Sequence, residues 1–266
     1  MQSQGQYQLV FGDASKMDIL RNGEVDLVLT GPPYFSDATE ELLREPFRKQ
    51  KDIERAKKEV TAFAMGLRPV YEEIRRVLRP GGYLATQTKD LCYGGVFISL
   101  TALHREMAEA TGLHLLSHIY WHKFKRNSDS KRFLDNPVAG SFRNDYVEDI
   151  CIFSDQPHDP KSHGPVELPS EEIRKSVSPL WVIGPASKNR EHPHKTPKAL
   201  VRRLIALLTD PGDLVVDPFA GSGTTLEVAV SMGRRAVGYE IQERYAKIAD
   251  NSVQRSIGKK RLRPNE

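Results

Sequence analysis

The stretch Leu214-Val215-Val216-Asp217-Pro218-Phe219-Ala220-Gly221-Ser222-Gly223-Thr224-Thr225 constrains this chain more than any other. Its short aliphatic run, bounded by turn formers, suits a strand buried inside a sheet. Gly221 and Gly223 permit a tight turn and a close approach of a ligand to the backbone. Thr224 and Thr225 then open a helix whose first N–H groups have no intrahelical partner and face the turn. A strand that feeds a helix in this way is the building unit of doubly wound α/β sheets.

The remaining sequence agrees with that unit. Short apolar runs at 9–11, 25–30, 83–86, 115–121, 146–153, 214–216 and 236–239 read as seven strands. Between 52 and 79 the residues Ile53, Val60, Phe63, Leu67, Val70, Ile74 and Val77 recur at steps of three, four and seven. That spacing predicts one long amphipathic helix, or two joined near Pro69. Helices are also expected over 96–110, 197–208, 224–232 and 242–253. Residues 154–193, rich in Pro, Ser, His and charge, read as an irregular insertion. The expectation is a single α/β domain over 1–266, with a mostly parallel seven-stranded sheet and helices on both faces.

Composition removes several classes. With 39% hydrophobic and 28% charged residues, and 19 Gly and 17 Pro scattered along 266 positions, the chain is neither fibrous nor disordered. No apolar run approaches the ~20 residues that cross a bilayer. Residues 1–6 show no basic region followed by an apolar one, so a cytoplasmic location is expected. Cys92 and Cys151 stand far apart with no ligand partner at metal-binding spacing, which predicts reduced core residues and no metal site. The net charge of +4 says little, but its distribution says more. Lys123, Lys125, Arg126, Lys131, Arg132 and Arg143 are interleaved with Trp121, Phe124, Phe133 and Phe142. Such a turn-rich stretch suits phosphate neutralisation and base contact as well as it suits a solvated loop. The closing Lys259-Lys260-Arg261-Leu262-Arg263 reads as a frayed tail.

About twenty residues beyond Gly221 stands Glu240, at the tip of the next strand. An acid there can accept both ribose hydroxyls of a nucleoside and repels a 2′-phosphate. The turn lacks the Gly-Lys-Ser/Thr of a phosphate loop, so ATP hydrolysis is disfavoured. Nicotinamide dinucleotides and S-adenosylmethionine both remain on this geometry. Near the other end, Thr30-Gly31-Pro32-Pro33-Tyr34-Phe35 closes a strand at the edge where open α/β sheets bind ligands. Its prolines fix φ and present carbonyls rigidly, and Tyr34 can stack on a planar ring.

Asp217-Pro218-Phe219-Ala220-Gly221-Ser222-Gly223-Thr224 resembles the S-adenosylmethionine loop of amino-group DNA methyltransferases, and Gly31-Pro32-Pro33-Tyr34 resembles their catalytic tetrapeptide. The tetrapeptide comes first and the cofactor loop last, the permuted order called the β group. Phe11-Gly12-Asp13, Val77-Leu78-Arg79-Pro80-Gly81-Gly82, Asp145-Tyr146-Val147-Glu148-Asp149-Ile150 and His192-Pro193-His194-Lys195-Thr196-Pro197 extend the likeness to about two thirds of the chain. The resemblance implies a Rossmann-like methyltransferase fold with a short recognition insertion, DNA recognition around 121–143 and 154–193, and double-stranded DNA as substrate. It implies cofactor contacts from Asp13, Thr30, Lys195 and Thr196, and from Asp217, Phe219, Ala220, Gly221, Ser222, Gly223, Thr224 and Glu240.

It also implies the chemistry of Gly31, Pro32, Pro33 and Tyr34. An exocyclic amine is a poor nucleophile because its lone pair is delocalised, and acceptors that take its N–H bonds aim that pair at the methyl sulfonium. The first tetrapeptide position in the family carries Asp, Asn or Ser, and Gly31 has no such acceptor. The carbonyls of Gly31 and Pro32, with Ser36, Asp37 or water, must then serve. Thr30-Gly31-Pro32-Pro33-Tyr34 is closer to the cytosine-N4 pattern than to the adenine-N6 one. An RNA or protein amine methyltransferase, or a noncatalytic cofactor- and DNA-binding protein, are the competing readings. An insertion this short covers little of a duplex, so a homodimer is expected on DNA. A companion restriction endonuclease is compatible with the resemblance and is not specified by any residue.

Replacing Lys125, Arg126, Lys131 and Arg132 by Ala is expected to weaken duplex binding and to flatten its dependence on salt. Titration of affinity against ionic strength measures this, and an unmoved log–log slope would make the segment an ordinary surface loop.

Overall fold

Successive side chains of a strand point to opposite faces, so a sheet whose strands are apolar throughout must be covered on both sides. The computed structural model, which describes residues 6–34, 50–93, 96–123, 146–157, 164–186 and 195–262, has this arrangement. In chain order it contains β1 (Tyr7–Phe11), β2 (Val25–Thr30), α1 (Gln50–Met65), α2 (Arg68–Val77), β3 (Leu78–Thr88), β4 (Leu91–Tyr93), β5 (Val96–Ile98) and α3 (Leu100–Ala110). These are followed by β6 (His114–His122), β7 (Val147–Ser154), α4 (Ser170–Ser176), β8 (Leu180–Val182), α5 (Lys198–Leu208), β9 (Leu214–Asp217), α6 (Thr224–Ser231), β10 (Arg235–Glu240) and α7 (Glu243–Leu262). Eight strands form one sheet in the order β1-β10-β9-β2-β3-β7-β6-β8, and β4 pairs with β5 separately. Within the large sheet β7 runs opposite to its neighbours β3 and β6, and the other pairings are parallel.

The alternation divides the core in two. Leu27, Leu29, Tyr83, Ala85 and Val215 turn to one face, where Leu204 and Ile205 of α5, Leu226 and Ala229 of α6 and Val253 of α7 cover them. Val28, Leu84, Leu214 and Val216 turn to the other, under Val70 and Ile74 of α2 and Met107 of α3. This is the α/β Rossmann-like architecture expected from the sequence.

The stretch over 52–79 takes the second of its two expected forms, two helices, because Pro69 enters the first turn of α2, where its missing N–H costs nothing. Three details differ from the sequence reading, each for a local reason. Residues 96–98 are strand rather than helix, because they pair with 91–93 and Ser99 caps α3 by accepting the Ala102 N–H. The insertion over 154–193 contains α4 and an eighth strand, β8, whose Trp181 is buried beside Trp121 and under the Arg203 guanidinium, 5.0 Å from the ring centre. Three residues next to Pro179 carry no readable period. The last helix runs to Leu262, nine residues past the predicted end, taking in part of the basic tail.

Two tethers fix this periphery. Arg234, buried at the start of β10, donates to the Thr209 hydroxyl and carbonyl and pairs with Glu167 of the insertion. The Tyr7 hydroxyl donates to Asp250, joining the first strand to the last helix at 2.7 Å. Cys151 is free and buried, and burial pushes its thiol up to about 12. Among the described residues no helix is long and apolar enough to cross a membrane.

Gly223 is packed closely against a helix backbone. It precedes α6 with φ of +77°, and a Cβ there would stand 2.9 Å from both Cα and Cβ of Ala249 in α7. Gly223→Ala combines left-handed strain with a clash against helix backbone. It is expected to lower stability by about 2–4 kcal/mol, read by urea unfolding.

Candidate active site

The chain leaves β9 toward β10 on one side and leaves β2 toward β3 on the other, although β9 and β2 are neighbours. Connections that diverge from adjacent parallel strands leave a crevice at the strands' carboxyl ends. A cavity of about 350 Å³ opens there.

Its first wall is the glycine-rich turn. Asp217 ends β9 buried, with a carboxylate oxygen accepting the Phe219 N–H at 3.0 Å. Burial pushes its carboxyl up to about 6, against the opposing pull of the Thr225 hydroxyl, the Phe219 amide and the Thr30 hydroxyl. Gly221 turns with φ of +51° and donates its N–H to Glu240 Oε2 at 2.9 Å, while Gln242 N–H donates to Oε1 at 2.8 Å. Glu240 thus ties the loop after β9 to the start of α7, and each of its oxygens keeps a lone pair for a further donor.

The second wall is Gly31-Pro32-Pro33-Tyr34, carried by β2. The backbone of Gly31 is not left-handed, and a Cβ there would meet only the Gln87 carbonyl, at an ordinary 3.7 Å. Nothing in the backbone demands glycine at this position. The Tyr34 ring packs against the cluster of Ala56, Val60, Ala64, Leu91, Ile98 and Leu100 while bordering the cavity. Burial, with the Glu148 charge adding to it, pushes its phenol well above the ordinary range.

Between the two walls stands Gln87 of β3. Its Nε2 donates to Glu148 Oε2 at 2.5 Å, and its Oε1 accepts the Thr196 hydroxyl at 3.0 Å. Glu148 in turn holds Lys123, whose ammonium lies 4.9 Å over the Trp121 ring. Val201 and Leu204 of α5, one turn apart, close the apolar side with Lys195 and Thr196 at the rim.

The structure therefore brings Thr30, Gly31, Pro32, Pro33, Tyr34, Lys195, Thr196, Asp217, Phe219, Ala220, Gly221, Ser222, Thr224 and Glu240 to one cavity. Two expected residues stand apart from its lining. Gly223 lies behind the loop against Ala249. The Asp13 carboxylate accepts the Ser15 N–H, one residue after Gly12, whose N–H reaches the Glu240 carbonyl at 3.1 Å. Lys123 is paired with Glu148, and Lys125, Arg126, Lys131, Arg132 and Arg143, with Ser36 and Asp37, lie outside the described residues. Sequence reasoning missed Gln87, Val201, Leu204 and Tyr245. Strand register could have found Gln87: Thr30 pairs with Thr86, so Gly31 and Gln87 leave neighbouring strands together. The two α5 residues carry only the apolar spacing of a core helix.

Such a cavity can seat a cation against the Asp217 carboxylate and can accept N–H donors on carbonyls at the end of β2.

Comparison with known proteins follows the same lines. A family model described as DNA methylase matches residues 25–251. The type II methyltransferase M.MjaI of Methanocaldococcus jannaschii is 30% identical over 96% of this chain and 93% of its own length. The DNA adenine methyltransferase YhdJ of Escherichia coli is 49% identical over 57 residues, 21% of this chain and 19% of YhdJ. The crystal structure of a putative DNA modification methylase from Thermus thermophilus, complexed with S-adenosyl-L-methionine, superposes with a TM-score of 0.70 at 28% identity, covering 94% of each chain.

The raised Asp217 carboxyl has a thermodynamic consequence. The folded state binds this proton more tightly than the unfolded chain, so stability is fully present below about pH 4 and declines as pH rises through about 6. Asp217→Asn removes that decline. Its stability relative to wild type is expected to rise by about 1–1.5 kcal/mol between pH 5 and pH 7.5, measured by urea unfolding at both values.

Proposed function

The chain belongs to the N6/N4-type DNA methylase family, and on that premise we propose that it methylates cytosine N4 of a base flipped from double-stranded DNA, using S-adenosylmethionine. One observation carries the reading: Gly31-Pro32-Pro33-Tyr34 and the Asp217–Gly221 turn, far apart in the chain, line the same cavity.

The residues fit the cofactor. Asp217 is a buried carboxyl whose ionisation is disfavoured chiefly by burial, with the Glu240 charge adding to it, and a cationic guest offsets that penalty. Glu240 keeps acceptor capacity for ribose hydroxyls. Phe219 and the flexible Gly221 turn supply an apolar and a backbone surface to the nucleoside. When bound, the cofactor supplies an electrophilic methyl group. Everything else falls to this chain. Pro32 and Pro33 hold the carbonyls of residues 31 and 32 where they accept amine N–H bonds, and Tyr34 offers a face for base stacking. Thr196 and Lys195 close the rim beside Gln87. Duplex contact falls to the basic and aromatic segment that follows Lys123, and a homodimer is the DNA-bound form.

Cytosine is favoured because Gly31 provides no carboxylate, and the smaller ring makes the lesser demand on a pocket of backbone carbonyls. Adenine N6 is the second reading, supported by the match to an adenine methyltransferase over 57 residues.

Digestion of DNA treated with enzyme and cofactor, followed by nucleoside mass spectrometry, is expected to give N4-methylcytosine as the main product. N6-methyladenine as the main product would overturn the base assignment and leave the rest standing. Tyr34→Ala is expected to lose about 1–3 kcal/mol of base stacking and most turnover. Gly31→Ser, whose side chain has room, is expected to be active or improved.

A further inference from the structure

We propose that the side-chain amide of Gln87 recognises the target base, its carbonyl accepting the amine N–H that Gly31 has no side chain to hold. The inference rests on the methyltransferase reading above and adds a residue to it.

Gln87 is placed for this role by the sheet. Thr30 and Thr86 are paired in register, so the next residues, Gly31 and Gln87, emerge together into the cavity that both line. A side chain at Gly31 would start 3.7 Å from the backbone carbonyl oxygen of Gln87, so the two residues are immediate neighbours at the cavity wall.

Its orientation is imposed by its partners. Glu148 is a buried carboxylate and can only accept, so the Gln87 Nε2 must face it. The Thr196 hydroxyl donates to Oε1 from the other side. Turning the amide over would set its carbonyl against the Glu148 carboxylate, two acceptors with no proton between them. Glu148 is anchored by Lys123, and that ammonium rests over Trp121. Glu148 and Lys123 are thus positioning residues, built on β6 and β7.

Two valences of the amide remain for a ligand: the second lone pair of Oε1 and the second hydrogen of Nε2. Cytosine and adenine both present an amine N–H beside a ring nitrogen acceptor, the pattern that complements a fixed primary amide. Thymine and guanine present a carbonyl beside an N–H there and would oppose both groups. Gln87 therefore selects the class of base and holds its amine, without distinguishing cytosine from adenine.

The test compares wild type, Gln87→Ala, Gln87→Met and the Gly31→Asn/Gln87→Ala double variant. Each is incubated with unmethylated genomic DNA and tritiated S-adenosylmethionine, with cofactor affinity measured by calorimetry and folding by thermal midpoint. Loss of the acceptor is expected to lower kcat by about tenfold or more in both single variants. The cofactor Kd is expected to stay within about threefold of wild type, because the nucleoside wall is on β9 and β10. Gly31→Asn is expected to return part of the lost turnover to Gln87→Ala by restoring an acceptor at the adjacent position. Wild-type turnover in a folded Gln87→Met would overturn the proposal. So would a loss that follows cofactor affinity and is not rescued at Gly31, which would reduce Gln87 to a support for Thr196. Wild-type protein that labels no DNA would instead overturn the underlying methyltransferase reading.

Discussion

Everything at the site depends on β2 and β9 lying side by side. Leu27 pairs with Val215 and Val28 with Val216, and Asp26 secures the start of the pairing by accepting the Leu214 N–H at 2.8 Å while holding Arg79 of β3. Parallel strands so aligned must end at the same level, and their following turns must part in opposite directions. The crevice is a geometric result of that pairing, before any side chain contributes. Gly31 and Asp217 face one another because their strands do.

On this frame the acidic groups are divided by what surrounds them. Asp217 is enclosed and resists ionisation, Glu240, also buried, is held by two backbone amides, and Glu148 is neutralised by Lys123 behind the other wall. A cation is therefore welcomed on one side of the cavity only. The opposite side offers neutral acceptors: proline-fixed carbonyls and one oriented amide. Acceptors of this kind can take the N–H bonds of an amine and leave its lone pair directed away from them. The apolar stripe of Val201 and Leu204 separates these environments from bulk water.

Much of this was legible in the chain because it rests on short-range chemistry. A buried aliphatic run followed by Gly221 and Gly223, and a strand stopped by Pro32 and Pro33, announce their backbone geometry locally. All seven strands expected from the sequence exist, and Gly31-Pro32-Pro33-Tyr34 lines the same cavity as the glycine turn. What escaped depends on partners distant in sequence. The strand at 180–182 forms because β6 offers an edge and Arg203 a roof for Trp181, neither visible in three residues. Gln87 looks like any polar residue near a strand end until the register with β2 and the approach of Thr196 are known. Gly223 reads as a ligand-binding glycine, and its requirement comes instead from a helix 26 residues later that packs on it at Ala249.

The pairing of β2 with β9 also governs how such a chain can be made. The two strands are joined by a hydrogen bond that spans 188 residues, from Asp26 to Leu214. At about 5–20 residues per second of synthesis, the apolar edge of β2 waits roughly 10–40 s for its neighbour. Until β9 emerges, β2 can pair only with β3, and a long hydrophobic strand edge stays open to other nascent chains. The seam between β2 and β9, and then the pairing of β10 with β9 and β1, close after every other strand has been made, so completion of the sheet is timed by translation of β9 and β10.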